Sequence, residues 1–137
     1  MSDRICLIVD DEPVIRNFLG AILNQHFRII EAANASQAFK VVEALNGELD
    51  LIVTDISMPG DMNGVDLAFA VRTAFPNIAI VIISGYALPG STEGHCSDCE
   101  FLAKPFRAEA ILLAAERAMI LINKRDGVGQ TKPKNAS

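Results

Sequence analysis

Leu51-Ile52-Val53-Thr54-Asp55-Ile56-Ser57-Met58-Pro59-Gly60 is an apolar run that meets a carboxylate and then breaks. Leu51, Ile52 and Val53 suit a short central strand covered on both faces. Pro59-Gly60 cannot extend a strand, so the chain must turn there. Asp55 then stands at the carboxyl end of a core strand, the edge at which open α/β sheets bind ligands. A turn residue would explain a lone Asp equally well. The choice depends on what the rest of the chain brings to the same edge.

Upstream, Arg4 to Val9 is a continuous apolar run ending in Asp10-Asp11-Glu12-Pro13. It reads as a first buried strand, stopped by three acids, with Pro13 in the first turn of a helix. Val14, Ile15, Phe18, Leu19, Ile22 and Leu23 recur at helical spacing to about Gln25. Acids before such a helix also complement its dipole, which is the bland account of the cluster. Phe27 to Ile30 is a short second strand. A second helix follows, capped by Asn34 or Ser36, running to about Leu45 and stopped by Asn46-Gly47.

Downstream, Gly60 to Gly64 is a turn-rich loop, and a third helix spans about Val65 to Ala74. Ile78 to Ile83 is a strongly β-branched fourth strand that ends at Ser84-Gly85. Leu88 to Cys99 carries Pro89, Gly90, Gly94 and small polar residues, leaving room only for a short or irregular fourth helix. Phe101-Leu102-Ala103 is a fifth strand ending at Lys104-Pro105. A last helix runs from about Arg107 to about Asn123. Its apolar face holds Ile111, Leu112, Ala115, Ala118, Met119 and Ile122, and Leu113, Ile120 and Leu121 widen it. Either the sheet covers that breadth or part of it meets a partner. The domain is therefore expected over residues 1–123, with a flexible polar tail over 124–137.

Strands alternating with helices imply right-handed crossovers and a parallel sheet. The expected fold is α/β, a flavodoxin-like doubly wound five-stranded sheet in the order 2-1-3-4-5. The chain has 137 residues, half of them hydrophobic, which fits one domain with a single folded core and excludes a disordered chain. A net charge of -5 argues against direct nucleic-acid binding. No apolar run is long enough for membrane insertion, and the expected compartment is the cytoplasm. Three cysteines are too few for a disulfide framework. His95-Cys96-Ser97-Asp98-Cys99 offers zinc or redox chemistry only weakly, because there is no second Cys-x-x-Cys.

In this arrangement Asp10, Asp11, Asp55, Ser84 and Lys104 all fall at one edge of the sheet. Three adjacent carboxylates repel one another and need a cation or a proton. Oxygen donors without His or Cys favour Mg²⁺, and the backbone carbonyl of Ser57 is within chain reach. Asp55 is then a credible nucleophile toward phosphorus. Lys104 would neutralise phosphoryl charge, and the Ser84 hydroxyl would bond to it.

Val9-Asp10-Asp11-Glu12-Pro13, Asp55-Ile56-Ser57-Met58-Pro59, Ile83-Ser84-Gly85 and Ala103-Lys104-Pro105-Phe106 together resemble the receiver domain of bacterial two-component response regulators. The resemblance covers residues from about 4 to 123. It implies that Asp55 is the phosphoacceptor, served by a histidine kinase or histidine phosphotransfer protein. It implies Mg²⁺ on Asp10, Asp11, Asp55 and the Ser57 carbonyl, Lys104 on the phosphoryl group, Ser84 as the switch hydroxyl and Phe101 as the switch aromatic. Plain core packing is the other account of Phe101. The chain departs from the pattern in a loop one residue longer after Met58-Pro59 and in the irregular stretch before Phe101, which leaves a homodimer open. The expected function is a stand-alone phosphorelay receiver, catalytic only toward its own phosphorylation and dephosphorylation, signalling to a downstream protein target. Two rivals are a small phosphohydrolase with an aspartyl nucleophile and a phosphorylation-independent interaction module. Ser57 stands where the hydrolase would need a second Asp.

Overall fold

The computed structural model describes residues 3–58, 60–85 and 98–130, with side chains as far as Asn123. The strands are β1 (Ile5–Val9), β2 (Arg28–Ala32), β3 (Leu51–Asp55), β4 (Ala79–Ser84) and β5 (Glu100–Ala103). Among the described residues the helices are α1 (Pro13–Leu23), α2 (Ala35–Ala44), α3 (Gly64–Ala74) and α4 (Ala108–Gln130). All strand pairs are parallel, in the order β2-β1-β3-β4-β5. The expected α/β architecture is the observed one. None of the described helices is long and apolar enough to cross a membrane.

Every residue of β3 and β4 is buried, because helices cover both faces of a parallel sheet. Side chains alternate between two apolar layers. Cys6, Ile8, Leu51, Val53, Ala79, Val81 and Ile83 join α1 and α4 in one layer. Leu7, Val9, Ile52, Ile80 and Ile82 join α2 and α3 in the other. This alternation decides which way each group at the sheet edge points.

Two glycines are set by backbone shape. Gly47 follows α2 with a φ of 75°, and its N–H returns to the Val42 carbonyl at 2.9 Å. A Cβ there would overlap the Phe75 ring, so the Asn46-Gly47 helix stop is also a packing site. Gly64 begins α3, and a Cβ on it would overlap the carbonyl oxygen of Asp55. Its N–H donates to the Ile56 carbonyl at 3.0 Å. Asn63 caps the helix reciprocally with Asp66, at 2.9 and 3.0 Å. The long loop after Met58 is thereby closed against the end of β3.

Several boundaries differ from expectation. β2 extends to Ala32, since its register with β1 carries the ladder through Val9. α1 ends at Leu23, where Asn24 and His26 tighten the turn. α4 continues to Gln130 instead of stopping near Asn123. Gly127 and Gly129 lower helix propensity without forbidding the helix. Cys6 is free and buried, and burial pushes its thiol well up, so it stays protonated. Cys99 is disulfide-bonded, a link the cysteine count did not anticipate, because that count bounds a framework and does not exclude one bridge. The expected irregular fourth helix, His95 and Cys96 lie outside the described residues.

Candidate functional site

The carboxyl edge of the sheet is built by ladder bonds that run one step past the strands. Asp10 N–H donates to the Ala32 carbonyl at 3.2 Å, Ile56 N–H to Ile83 at 2.8 Å, and Lys104 N–H to Ser84 at 2.7 Å. These bonds continue the ladder by one residue beyond β1, β3 and β5.

Asp10, Asp11 and Asp55 converge, with one carboxylate oxygen from each within 4.8 Å of the others. Asp10 and Asp55 are buried and Asp11 is exposed. Lys104 Nζ lies 3.3 Å from Asp55 Oδ1. Its side chain is 31% exposed, so the ammonium meets both the carboxylate and solvent. Ser84 ends β4 and is buried. Ser57 is exposed in the loop just after β3. Phe101 is half-buried and packs with the α2/α3 layer.

The acids do not act as a helix cap. Glu12 occupies the position before Pro13, but its side chain makes no capping bond. Asp10 Oδ1 instead accepts the Glu12 N–H at 2.9 Å. Burial raises the Asp10 carboxyl above its usual range, and the neighbouring Asp55 and Asp11 charges push the same way. The Glu12 N–H and the Lys104 ammonium pull it down without cancelling the rise. The donor set therefore fits a hard divalent cation: three oxygens, no soft ligand, and a buried charge that a cation would offset.

Three features of the site were not read from the sequence. Arg16 Nη1 donates to the Asp10 carbonyl at 2.6 Å and its Nε pairs with Glu31 at 3.0 Å. Thr54 Oγ1 donates to the Asp55 carbonyl at 3.0 Å. Gly64 fills the close approach behind Asp55. The sequence signal was faint in each case: a cation one turn after three acids, a hydroxyl beside Asp55, and an Asn-Gly pair.

The chain belongs to the response regulator receiver domain family, which it matches over residues 6–116. It is 30% identical over 127 residues to the sensor kinase CckA of Brucella abortus, a match covering 91% of this chain and 13% of that protein. It is 32% identical over 122 residues to the transcriptional regulatory protein FixJ of Rhizobium meliloti, covering 86% of this chain and 58% of that one. The chain thus spans only part of the length of these relatives. A response regulator receiver protein from Sinorhizobium medicae has a similar structure, with a TM-score of 0.78 and 26% identity over 90% of this chain and 97% of that one.

Proposed function

We propose that this receiver domain accepts a phosphoryl group on Asp55, with Mg²⁺ held by Asp10, Asp11, Asp55 and the Ser57 carbonyl. The reading is carried by one observation: a buried Asp55 carboxylate lies among two further acids and 3.3 Å from an ammonium. Bound magnesium would supply charge neutralisation for phosphoryl oxygens. An Asp55 oxygen attacks phosphorus, an O–P bond forms, and the donor's P–N or P–O bond breaks with its electron pair leaving on the donor atom. Lys104 neutralises a second phosphoryl oxygen as a point charge, and the Ser84 hydroxyl bonds a third.

A histidine kinase or histidine phosphotransfer protein is the donor in this reading, acting in the cytoplasm. Val14 and Phe18 support such docking. They are 75% and 44% exposed on α1 beside the acidic edge. Phe18 faces the Phe106 ring at 6.0 Å, which extends the apolar rim toward Lys104. On α4, Leu113 and Ile120 are 47% and 50% exposed and offer apolar contact to a downstream protein.

Intact mass after incubation with Mg²⁺ and acetyl phosphate tests the assignment. One added phosphoryl group is expected on wild type and none on Asp55→Asn. Equal uptake by both proteins overturns Asp55 as acceptor. No adduct on wild type, followed by no binding of a beryllofluoride mimic, replaces this reading with an interaction module.

A further inference from the structure

Arg16 touches no carboxylate of the acidic cluster, yet it holds the backbone from which two of those carboxylates project. Its Nη1 donates to the Asp10 carbonyl at 2.6 Å, and its Nε is fixed by Glu31 Oε1 on β2 at 3.0 Å. The next residue of β2, Ala32, accepts the Asp10 N–H at 3.2 Å. Both backbone groups of Asp10 are therefore tied to the end of β2, one directly and one through the guanidinium. The side chain is held separately by the Glu12 N–H at 2.9 Å.

We infer that Arg16, anchored by Glu31, is a positioning residue that presets Asp10 and Asp11 for the divalent cation; this rests on the functional reading above. The fork matters more than the charge. A guanidinium can bond a carbonyl and a carboxylate at once in a fixed plane, which an ammonium does far less well. The Arg16–Glu31 pair is partly solvated, with side chains 17% and 42% exposed. An ion pair of that kind adds little to global stability. Its consequence is local: a ligand-bearing turn whose backbone carbonyl is held needs less ordering when the cation arrives.

Removing Arg16 separates positioning from plain electrostatics, because the two carry opposite signs. As a nearby positive charge, Arg16 repels a cation, and its loss would tighten Mg²⁺ binding. As a positioning residue, its loss weakens binding. Calorimetric Mg²⁺ titration of the whole chain is the test, with wild type, Arg16→Ala and Arg16→Lys compared at one pH. Arg16→Ala is expected to bind about tenfold more weakly, and Arg16→Lys to fall between it and wild type. Thermal melting without metal is run alongside, since a merely structural role would lower the melting temperature and leave the affinity of the folded protein in place. Equal or tighter binding by Arg16→Ala overturns the inference and leaves phosphorylation at Asp55 untouched. If Arg16→Ala does not fold, Arg16→Lys decides, and wild-type affinity in that charge-preserving variant overturns the inference. A wild-type chain that binds no Mg²⁺ and accepts no phosphoryl group defeats the functional reading itself, and this inference with it.

Discussion

Asp10, Asp55 and Lys104 continue the side-chain rows that face α1 and α4, whereas Ser84 and Phe101 continue the rows that face α2 and α3. Cys6 and Ile8 lead to Asp10, Leu51 and Val53 to Asp55, and Leu102 to Lys104, with the apolar members all in one layer. Ile80 and Ile82 lead to Ser84, and Phe101 pairs with Ile82 across the β4–β5 register. One edge thus carries a charged group and a hydroxyl–aromatic group on opposite faces. The charged group sits at the end of fully buried β3, on the tied turn after β1 and, with Lys104, just past β5. The aromatic sits on β5, where no residue is fully buried. The lesson is a division built into strand alternation: the carboxylates and the ammonium share one face of the edge, and the hydroxyl and the aromatic share the other.

The largest expected effect lies on the charged face. Lys104→Ala removes the ammonium beside Asp55 and should slow phosphoryl uptake from acetyl phosphate by about 10²–10³-fold, the usual cost of deleting one preorganised stabiliser of transition-state charge. The fold should persist, because the side chain is partly exposed. Time-resolved intact mass gives the rate. A loss under about threefold would remove Lys104 from the chemistry and break the division between the two faces.

Next in size is the electrostatic cost of keeping the charged face intact. The Asp10 carboxyl is raised above its usual 3.8 in the folded chain, chiefly by burial. The folded state then binds the Asp10 proton more tightly than the unfolded state does. This contribution to stability is fully present below pH 3.8 and is lost as pH rises through the raised folded value. For one proton the slope cannot exceed about 1.4 kcal/mol per pH unit. Asp10→Asn removes the charge while its amide oxygen can still accept the Glu12 N–H. Without metal, the melting temperature of Asp10→Asn minus that of wild type should therefore grow from acid to neutral pH. Excess Mg²⁺ should reverse that advantage by stabilising wild type alone. A difference that stays flat with pH would show that keeping the Asp10 carboxylate charged in this buried cluster carries no such cost.

Much of this was legible in the chain, and for definite reasons. Buried parallel strands must be continuous apolar runs, so Arg4 to Val9, Leu51 to Val53 and Ile78 to Ile83 stood out. Polar residues that end such runs must gather at one edge, so Asp10, Asp55, Ser84 and Lys104 could be placed together from the sequence alone. The Arg16–Glu31 bracket was not legible, because a charged pair fifteen residues apart on a helix and a strand looks like two solvated side chains. Nor was the role of Gly64, whose constraint comes from the path of the Asp55 backbone and not from its own neighbours. The continuation of α4 past Asn123 was hidden by two glycines that lower helix propensity without forbidding the helix.

The smallest effect on chemistry is expected from Phe101→Leu, and it is the sharpest test of the two-face division. Leucine keeps most of the apolar contact with the α2/α3 layer, so the stability cost should stay under about 1.5 kcal/mol. The ring belongs to the α2/α3 layer, opposite the charged row, so phosphoryl uptake should stay within about twofold of wild type. What should change is the response of β5. Amide exchange of Glu100 to Ala103, measured before and after a beryllofluoride mimic is added, should shift in wild type and shift less in Phe101→Leu, because exchange protection follows local opening. Uptake reduced as far as in Lys104→Ala would mean that the two faces act as one unit. An unchanged exchange response would mean that Phe101 is core packing and that the signal leaves the edge by another strand.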